Sequence, residues 1–232
     1  MSAALPWLPQ GTVYGALLNF RREWDLWAPQ MTEAPYKAAP QAPVLYIKTA
    51  NTFAPCGAAI AVPDEVDVGA TLGLVIGGFE EKLPPALAES AQAATKKEAG
   101  GLHRIAGCVL LNDLSLPHAS YYRPPIKFRN RDGFLGCGPA LQTLPSLDSL
   151  VLEVRINGES VQRVELSTLV RDAATLLRDV SEFMTLQAGD VLMLGTDCLP
   201  DGTRPRAKAG DRIEISAPDF APLVNTLVED AA

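Results

Sequence analysis

Short runs of β-forming residues, many of them followed by glycine, proline, asparagine or aspartate, dominate this sequence. The clearest case is residues 151–156, which are followed by Asn157-Gly158 and by a second run at residues 160–164. An Asn-Gly pair supplies the positive φ angles of a type I′ turn, so the segment predicts a β-hairpin. The runs do not alternate with helices, and this pattern argues against a doubly wound α/β sheet or an α/β barrel.

The remaining elements are predicted from the same kind of pattern. Further strands are expected at residues 12–19, 44–48, 58–62, 71–76, 105–111, 191–195, 212–216 and 223–228. Helices are expected at residues 84–98 and 168–184, and the apolar face of the second helix, as far as Phe183, is expected in the core. We therefore predict a predominantly β fold with a few helices. An N-terminal strand and extended connector at residues 1–43 would precede a β domain at residues 44–232.

Composition excludes several classes of function. The formal net charge of −7 argues against a nucleic-acid-binding surface. The chain has two histidines, His103 and His118, so a three-histidine zinc site is impossible. Four cysteines without a Cys-x-x-Cys pair fit free thiols in a reducing cytoplasm. With no apolar run of about 20 residues and no signal-peptide pattern, we expect a cytoplasmic protein that binds neither nucleic acid nor membrane.

A set of motifs occurs in the order typical of one enzyme family. The motifs are Asn112-Asp113-Leu114-Ser115, Asn157-Gly158-Glu159, Met184-Thr185-Leu186 with Gly189-Asp190, and Gly195-Thr196. Residues 18–20 and 46–48 add weaker matches to the family's Asn-Tyr and Phe-x-Lys-Pro motifs. Taken together over residues 12–228, the chain resembles the fumarylacetoacetate hydrolase family. This resemblance implies a mixed β-sandwich roll.

Several segments point to a narrower branch of the family. They are residues 34–38, 69–72, 112–117, 122–127 and 131–134. In these segments the chain is similar to the N-terminal half of the bifunctional isomerase/decarboxylases of homoprotocatechuate (4-hydroxyphenylacetate) breakdown. The resemblance implies an enzyme subunit that acts on 2-oxo and 2-hydroxydiene di- and tricarboxylates. It also implies a homodimer, or a heterodimer with a catalytic paralogue.

The metal site of the family is where this sequence departs most. The family holds Mg²⁺ or Mn²⁺ with a Glu-x-Glu pair on one strand and the aspartate of Asn-Asp-x-Ser, because hard divalent ions prefer oxygen ligands. Alignment through residues 75–77 puts Gly69 and Thr71 at the glutamate positions, and Asp113 alone is retained. Asp67 has the same strand parity and is a possible substitute. We expect a degenerate site and no metal bound by this chain.

The resemblance also assigns roles to other residues. Asp113, Arg129 and Thr196 lie at positions where the family has catalytic groups. The candidates for binding an anionic 2-oxo acid are Lys48, Arg123, Lys127 and Arg131. The family's lid histidine and glutamate fall on Glu23 and Leu26, so the general base is missing from its expected place.

Each candidate has a purely structural interpretation as well. Asp113 could cap the turn that follows its strand, and the basic residues between 123 and 131 could lie in a solvated loop. Three functions stay open on the sequence. The chain is a degenerate subunit whose partner holds the metal, a free-standing enzyme with a shifted or absent metal, or a non-catalytic scaffold.

Overall fold

The computed structural model describes residues 6–77, 105–118, 126–143 and 145–230. The predicted helix at residues 84–98, His103 and Arg123 lie outside them. The strands are β1 (Val13–Leu17), β2 (Val44–Lys48), β3 (Phe53–Pro55), β4 (Ala59–Val62), β5 (Val66–Asp67), β6 (Ala70–Ile76), β7 (Ile105–Asp113), β8 (Leu135–Cys137), β9 (Val151–Ile156), β10 (Glu159–Glu165), β11 (Val191–Met193), β12 (Arg206–Ala207), β13 (Arg212–Ser216) and β14 (Leu223–Glu229). The helices are α1 (Arg21–Met31), α2 (Ile126–Arg129) and α3 (Ala173–Ser181).

The larger sheet is curled into a roll. Its seven strands follow the order β2-β1-β11-β6-β7-β8-β3, so β2 and β3 lie at opposite edges. In a flat sheet, six spacings of about 4.8 Å would separate these edges by about 29 Å. Residues 49–52 alone join β2 to β3, and five Cα steps span at most about 18 Å. The sheet must therefore curl until its two edges approach each other.

The two faces of this roll bury different sets of side chains. The inner face carries alternate residues of each strand, among them Val75, Val109 and Val191. The outer face, with Leu72 and Leu110, packs on the second sheet, whose strands follow the order β10-β9-β13-β14-β4. This arrangement is a sandwich in which one layer is rolled, and it confirms the predominantly β prediction.

The strand predictions hold throughout the described residues, and the hairpin forms as expected. Asn157 and Gly158 both have positive φ, at 54° and 86°, as a type I′ turn requires. β1, within the N-terminal segment 1–43, is parallel to β11 and antiparallel to β2. No helix in the described part of the chain combines the length and apolar character needed to cross a bilayer.

The helix predictions need three corrections. α3 begins at Ala173 and not at residue 168, because the Asp172 carboxylate accepts a hydrogen bond from the Thr175 amide at 2.7 Å and caps it there. Phe183 lies beyond the end of this helix and is 57% exposed, so it is not a core residue. α1 was not predicted, since it contains Pro29, which has the lowest helix propensity of all residues.

The first testable prediction concerns the inner face of the roll. Gly15 lies directly opposite Tyr46, and a Cβ atom at Gly15 would overlap the tyrosine ring. Gly15→Ala should therefore lower the free energy of unfolding by about 1–3 kcal/mol or more, measured by urea denaturation. Gly77→Ala is the control, since a Cβ there would lie 3.3 Å from Ala106. Equal losses for the two variants would contradict the packing described here.

Candidate functional site

The three positions of the family's metal triad lie on one face of the roll. Asp113 ends β7 two residues after Leu111, so both side chains point to the inner face. Thr71 pairs with Leu111, and the Asp113 amide donates a hydrogen bond to the Gly69 carbonyl at 2.8 Å. Antiparallel pairing of β6 and β7 thus brings positions 69, 71 and 113 together, as the sequence pattern predicts.

Protein cations surround Asp113. Its side chain is fully buried, and the Lys48 ammonium lies 2.9 Å from Oδ1. The Arg129 Nη1 lies 2.7 Å from Oδ2 at 3% exposure, and the Tyr46 hydroxyl donates a hydrogen bond to the same oxygen. Asp113 is therefore neither a turn cap nor a solvent-facing acid, but the centre of an ion cluster formed by Tyr46, Lys48, Asp113 and Arg129.

Lys48 lies in the ion cluster because alternate residues of β2 point to the same face of the sheet. It is two residues after Tyr46 on β2, so both side chains enter the roll from the same edge strand. The ammonium also donates to the backbone carbonyls of Leu114 at 3.2 Å and Phe134 at 2.8 Å, and to that of Arg129. With its three donor positions engaged inside the fold, Lys48 does not face a substrate cleft.

Arg129 enters the ion cluster from the end of α2. Its guanidinium lies 4.6 Å from the centroid of the Tyr46 ring, within the range of a cation–π contact. The Tyr46 ring fits here because Gly15 has no side chain, and a Cβ atom at Gly15 would overlap the ring. Tyr46 therefore connects the carboxylate and the guanidinium, a role that no family motif indicated.

The charges in the ion cluster set its protonation state. Burial would raise the pKa of Asp113, but Lys48 and Arg129 outweigh it and hold that pKa below its usual range. Burial lowers the pKa of Lys48 to about 8, although the negative charge of Asp113 acts to raise it. Burial and the charge of Asp113 raise the pKa of Tyr46 well above its usual value. At neutral pH the ion cluster holds one anion and two cations.

The donor set does not fit Mg²⁺ or Mn²⁺. These ions require several oxygen ligands, and the carboxylate of Asp113 already faces two cations that would repel a third. A Cβ at Gly69 would lie 2.6 Å from the Asp113 carbonyl oxygen and 2.8 Å from Thr196 Cγ2, so no side chain fits there without a shift. Among the described residues, no group of three or more His, Cys, Asp or Glu could hold a metal ion.

A second charged group lies beside the ion cluster. Arg204 Nη2 donates to Glu23 Oε1 at 2.6 Å and to Thr196 Oγ1 at 2.8 Å, and Glu23 is 3% exposed. Burial raises the pKa of Tyr46 and of Asp67, and the positive charge of Arg204 acts against both shifts. Sequence reasoning missed Arg204, because it belongs to no motif and its partner Glu23 is 181 positions away.

Arg204 borders an open cleft of about 470 Å³. The lining residues are Trp27, Asp67, Pro117, His118, Gly202, Thr203, Arg204 and Arg206. Asp67, the possible substitute metal ligand, lies 3.4 Å from the Nε of Arg206, and its backbone bonds to Ser115 just beyond Asp113. The cleft therefore opens next to the end of β7 while Asp113 itself stays beneath it.

The other basic candidates lie apart from the ion cluster. Lys127 is exposed on α2, and Arg131 pairs on the surface with Asp230 at 2.7 Å. The structure thus brings Asp113, Arg129 and Lys48 together and leaves Lys127 and Arg131 at the surface. A catalytic or binding role for each of these residues stays a prediction.

Comparison with known proteins identifies the family. A family model described as fumarylacetoacetate (FAA) hydrolase C-terminal matches residues 12–228. The chain belongs to the fumarylacetoacetate hydrolase family. The 4-hydroxyphenylacetate degradation bifunctional isomerase/decarboxylase of Escherichia coli is 37% identical over 224 residues, which cover 95% of this chain and 48% of that protein. The chain therefore spans about half the length of the curated relatives that it matches.

Solved structures agree with this assignment. The 5-carboxymethyl-2-hydroxymuconate delta-isomerase of Mycobacterium smegmatis superposes with a TM-score of 0.71 at 25% identity, over 95% of this chain and 80% of that one. A maleylpyruvate hydrolase of Sphingobium sp. SYK-6, in complex with manganese(II) and pyruvate, superposes with a TM-score of 0.66 at 18% identity, over 97% and 72% of the two chains. The predicted family and fold are confirmed.

The second prediction tests the buried ion cluster. Asp113→Asn keeps the shape of the side chain but removes the counter-charge of two buried cations. It should therefore lower the free energy of unfolding, measured by urea denaturation, by about 3–5 kcal/mol. Asp230→Asn is the matched control, because its pair with Arg131 has the same 2.7 Å distance but side chains that are 37% and 40% exposed. That pair should contribute about 1 kcal/mol or less. Similar losses of unfolding free energy for the two variants would show that burial does not strengthen the ion pairs of Asp113.

The third prediction concerns Lys48. Its pKa is about 8 in the fold, against about 10.4 in an unfolded chain. Between these values the unfolded state binds more protons, so the free energy of unfolding should rise with pH. Relative to Lys48→Met, the wild-type protein should gain on the order of 1 kcal/mol per pH unit between about pH 8 and 10. Parallel stability profiles of the two proteins would contradict a lowered pKa.

Proposed function

We propose that this chain is the metal-free member of a fumarylacetoacetate-hydrolase-type isomerase/decarboxylase of 4-hydroxyphenylacetate breakdown. The substrates would be 2-oxo and 2-hydroxydiene di- and tricarboxylates. A paralogous partner chain with an intact Glu-x-Glu pair would hold the divalent metal that stabilises the enolate. This chain would form the other half of a dimer with it. The protein would act in the cytoplasm, a location that its four free cysteines support.

The ion cluster around Asp113 is the observation that carries this proposal. Lys48 and Arg129 lie within 2.9 Å of the one carboxylate retained from the metal triad. They neutralise the charge that would attract a divalent ion, and the Tyr46 hydroxyl donates a hydrogen bond to the same carboxylate. Through their contacts with Asp113, these three side chains link β2, β7 and α2. A bound metal ion would likewise link the elements that carry its ligands.

The size of the relatives supports a paired arrangement. The bifunctional enzyme of Escherichia coli is about twice as long, since this chain covers 48% of it. A second domain of the same fold would account for that length, and two separate chains could take its place. The match over 95% of this chain supports its assignment to one of the two units of such a pair.

The test combines calorimetry with an activity assay. Titration of the purified chain with Mg²⁺ or Mn²⁺ at neutral pH should give no binding heat up to millimolar ion, because the donor set is incomplete. Turnover of a 2-oxo dicarboxylate such as oxaloacetate should be absent without the paralogous chain and should appear when the two are combined. The Asp67→Asn variant is titrated in the same way, to test whether Asp67 acts as a substitute metal ligand.

Two results would overturn this proposal. One is micromolar metal binding that Asp113→Asn or Asp67→Asn abolishes, which would mean that a metal site has been rebuilt in this chain. The other is strong Mg²⁺-dependent turnover by the chain alone. Either result would favour a free-standing enzyme.

A further inference from the structure

A second cavity, which we call the hairpin pocket, lies between the β9–β10 hairpin and the loop that precedes β12. Its volume is about 470 Å³, within the range of small-molecule pockets. Its apolar wall consists of Ile156, Val161, Leu199 and Pro205, and Arg206 adds positive charge. The residues that distinguish the cleft beside the ion cluster, such as His118, do not line this pocket. The two cavities therefore offer different surfaces to a ligand.

A β-bulge in β10 brings Val161 into the wall of the hairpin pocket. The pairing of β10 with β9 shifts register between Ser160 and Gln162, so Val161 is the extra residue of the bulge. A bulge changes the direction of the side chain that it carries. The next side chain, Gln162, is buried and donates from Nε2 to the Asp197 carbonyl at 3.1 Å. The bulge thus lets two successive residues contact the pocket and the loop.

The loop on the other side of the hairpin pocket is held by its own hydrogen bonds. The Leu199 amide donates to the Thr203 carbonyl at 2.7 Å. Asp201 Oδ1 accepts from the amide of Thr203 at 2.9 Å and from its hydroxyl at 2.7 Å. The Val68 amide donates to the Pro205 carbonyl at 2.8 Å and fixes the end of the loop. The wall is therefore formed in advance, and a ligand loses little affinity to ordering of the loop.

The two arginines of the hairpin pocket differ in their freedom to move. Arg204 is held by its hydrogen bonds to Glu23 and Thr196, so its charge has a fixed position. The Arg206 side chain is 49% exposed, and both of its carboxylate partners lie 3.4 Å away, longer than a close ion pair. Arg206 can therefore turn to an anionic ligand at little cost.

We propose that the hairpin pocket is an accessory binding site for a small monocarboxylate with an apolar body. The carboxylate pairs with Arg206, and the apolar body lies against Val161 and Leu199. One negative charge fits this pocket better than two, because Arg204 is already paired and the rest of the wall is mainly apolar. A second carboxylate would lose its hydration without gaining a cation.

A ligand in the hairpin pocket would also act on the cleft. Thr203, Arg204 and Arg206 line both cavities, so the same loop borders each of them. When Arg206 turns to the ligand, it withdraws positive charge from Asp67, which lines the cleft. The inference goes beyond the proposed function, because it requires neither a metal ion nor a partner chain.

Nuclear magnetic resonance of the methyl-labelled chain, titrated with 3-phenylpropionate, tests this site. The probe has an aromatic ring and one carboxylate, joined by a short flexible linker. It should shift the methyl signals of Val161 and Leu199 along a saturable curve and leave that of Val228, which lines neither cavity, in place. The uncharged 3-phenylpropionamide should bind about tenfold more weakly. Propionate, which lacks the ring, should also bind about tenfold more weakly or worse.

Matched variants test the charge and the apolar wall separately. Arg206→Gln should weaken 3-phenylpropionate binding by about tenfold, the effect of one charge-assisted hydrogen bond. Arg212→Gln should leave it unchanged, because Arg212 is 48% exposed and lines neither cavity. Leu199→Ala should weaken binding by about fivefold or more through lost apolar contact. His118→Asn, which alters the cleft alone, should have no effect on binding.

Three outcomes would overturn the inference. One is the absence of any methyl shift at millimolar 3-phenylpropionate. Another is equal binding of the acid and the amide, which would show that Arg206 takes no part. The third is binding that survives Leu199→Ala but is lost in His118→Asn, which would place the probe in the cleft. None of these outcomes affects the calorimetric test for a metal, and metal binding by the chain would leave this measurement standing.

Discussion

The contact between the Asp113 carboxylate and two buried cations is the interaction on which the rest of this structure depends. It joins the end of β7 to β2 through Lys48 and to α2 through Arg129. Lys48 extends the connection to the carbonyl groups on both sides of α2, at Leu114 and Phe134. A charged group buried this deeply is stable only with its partners in place, so these elements must assemble together.

The same contact explains how Asp113 is accommodated in the interior of this fold. Without partners, its carboxylate would be a buried, uncompensated charge. Lys48 and Arg129 provide the compensation and lower the pKa of Asp113 despite its burial. The inner face of the roll is thereby filled with protein around Asp113, and the open cleft lies beside it.

Arg204 connects this buried layer with the cleft. It bonds to Glu23 of α1 and to Thr196 after β11, and its charge acts on the pKa of Tyr46 below and of His118 beside it. One fixed cation thus influences both the ion cluster and the cleft. A ligand that binds beside Arg204 would alter the electrostatic environment of both.

The sequence alone determined the β character, the positions of most strands and the Asn157-Gly158 turn, because these depend on local propensity. Only the tertiary structure decided what surrounds Asp113 and what lines the cleft. Tyr46 is 67 positions from Asp113, and Glu23 is 181 positions from Arg204. Such pairs leave no local pattern, since they arise where the curling of the sheet and the packing of α1 bring distant segments together.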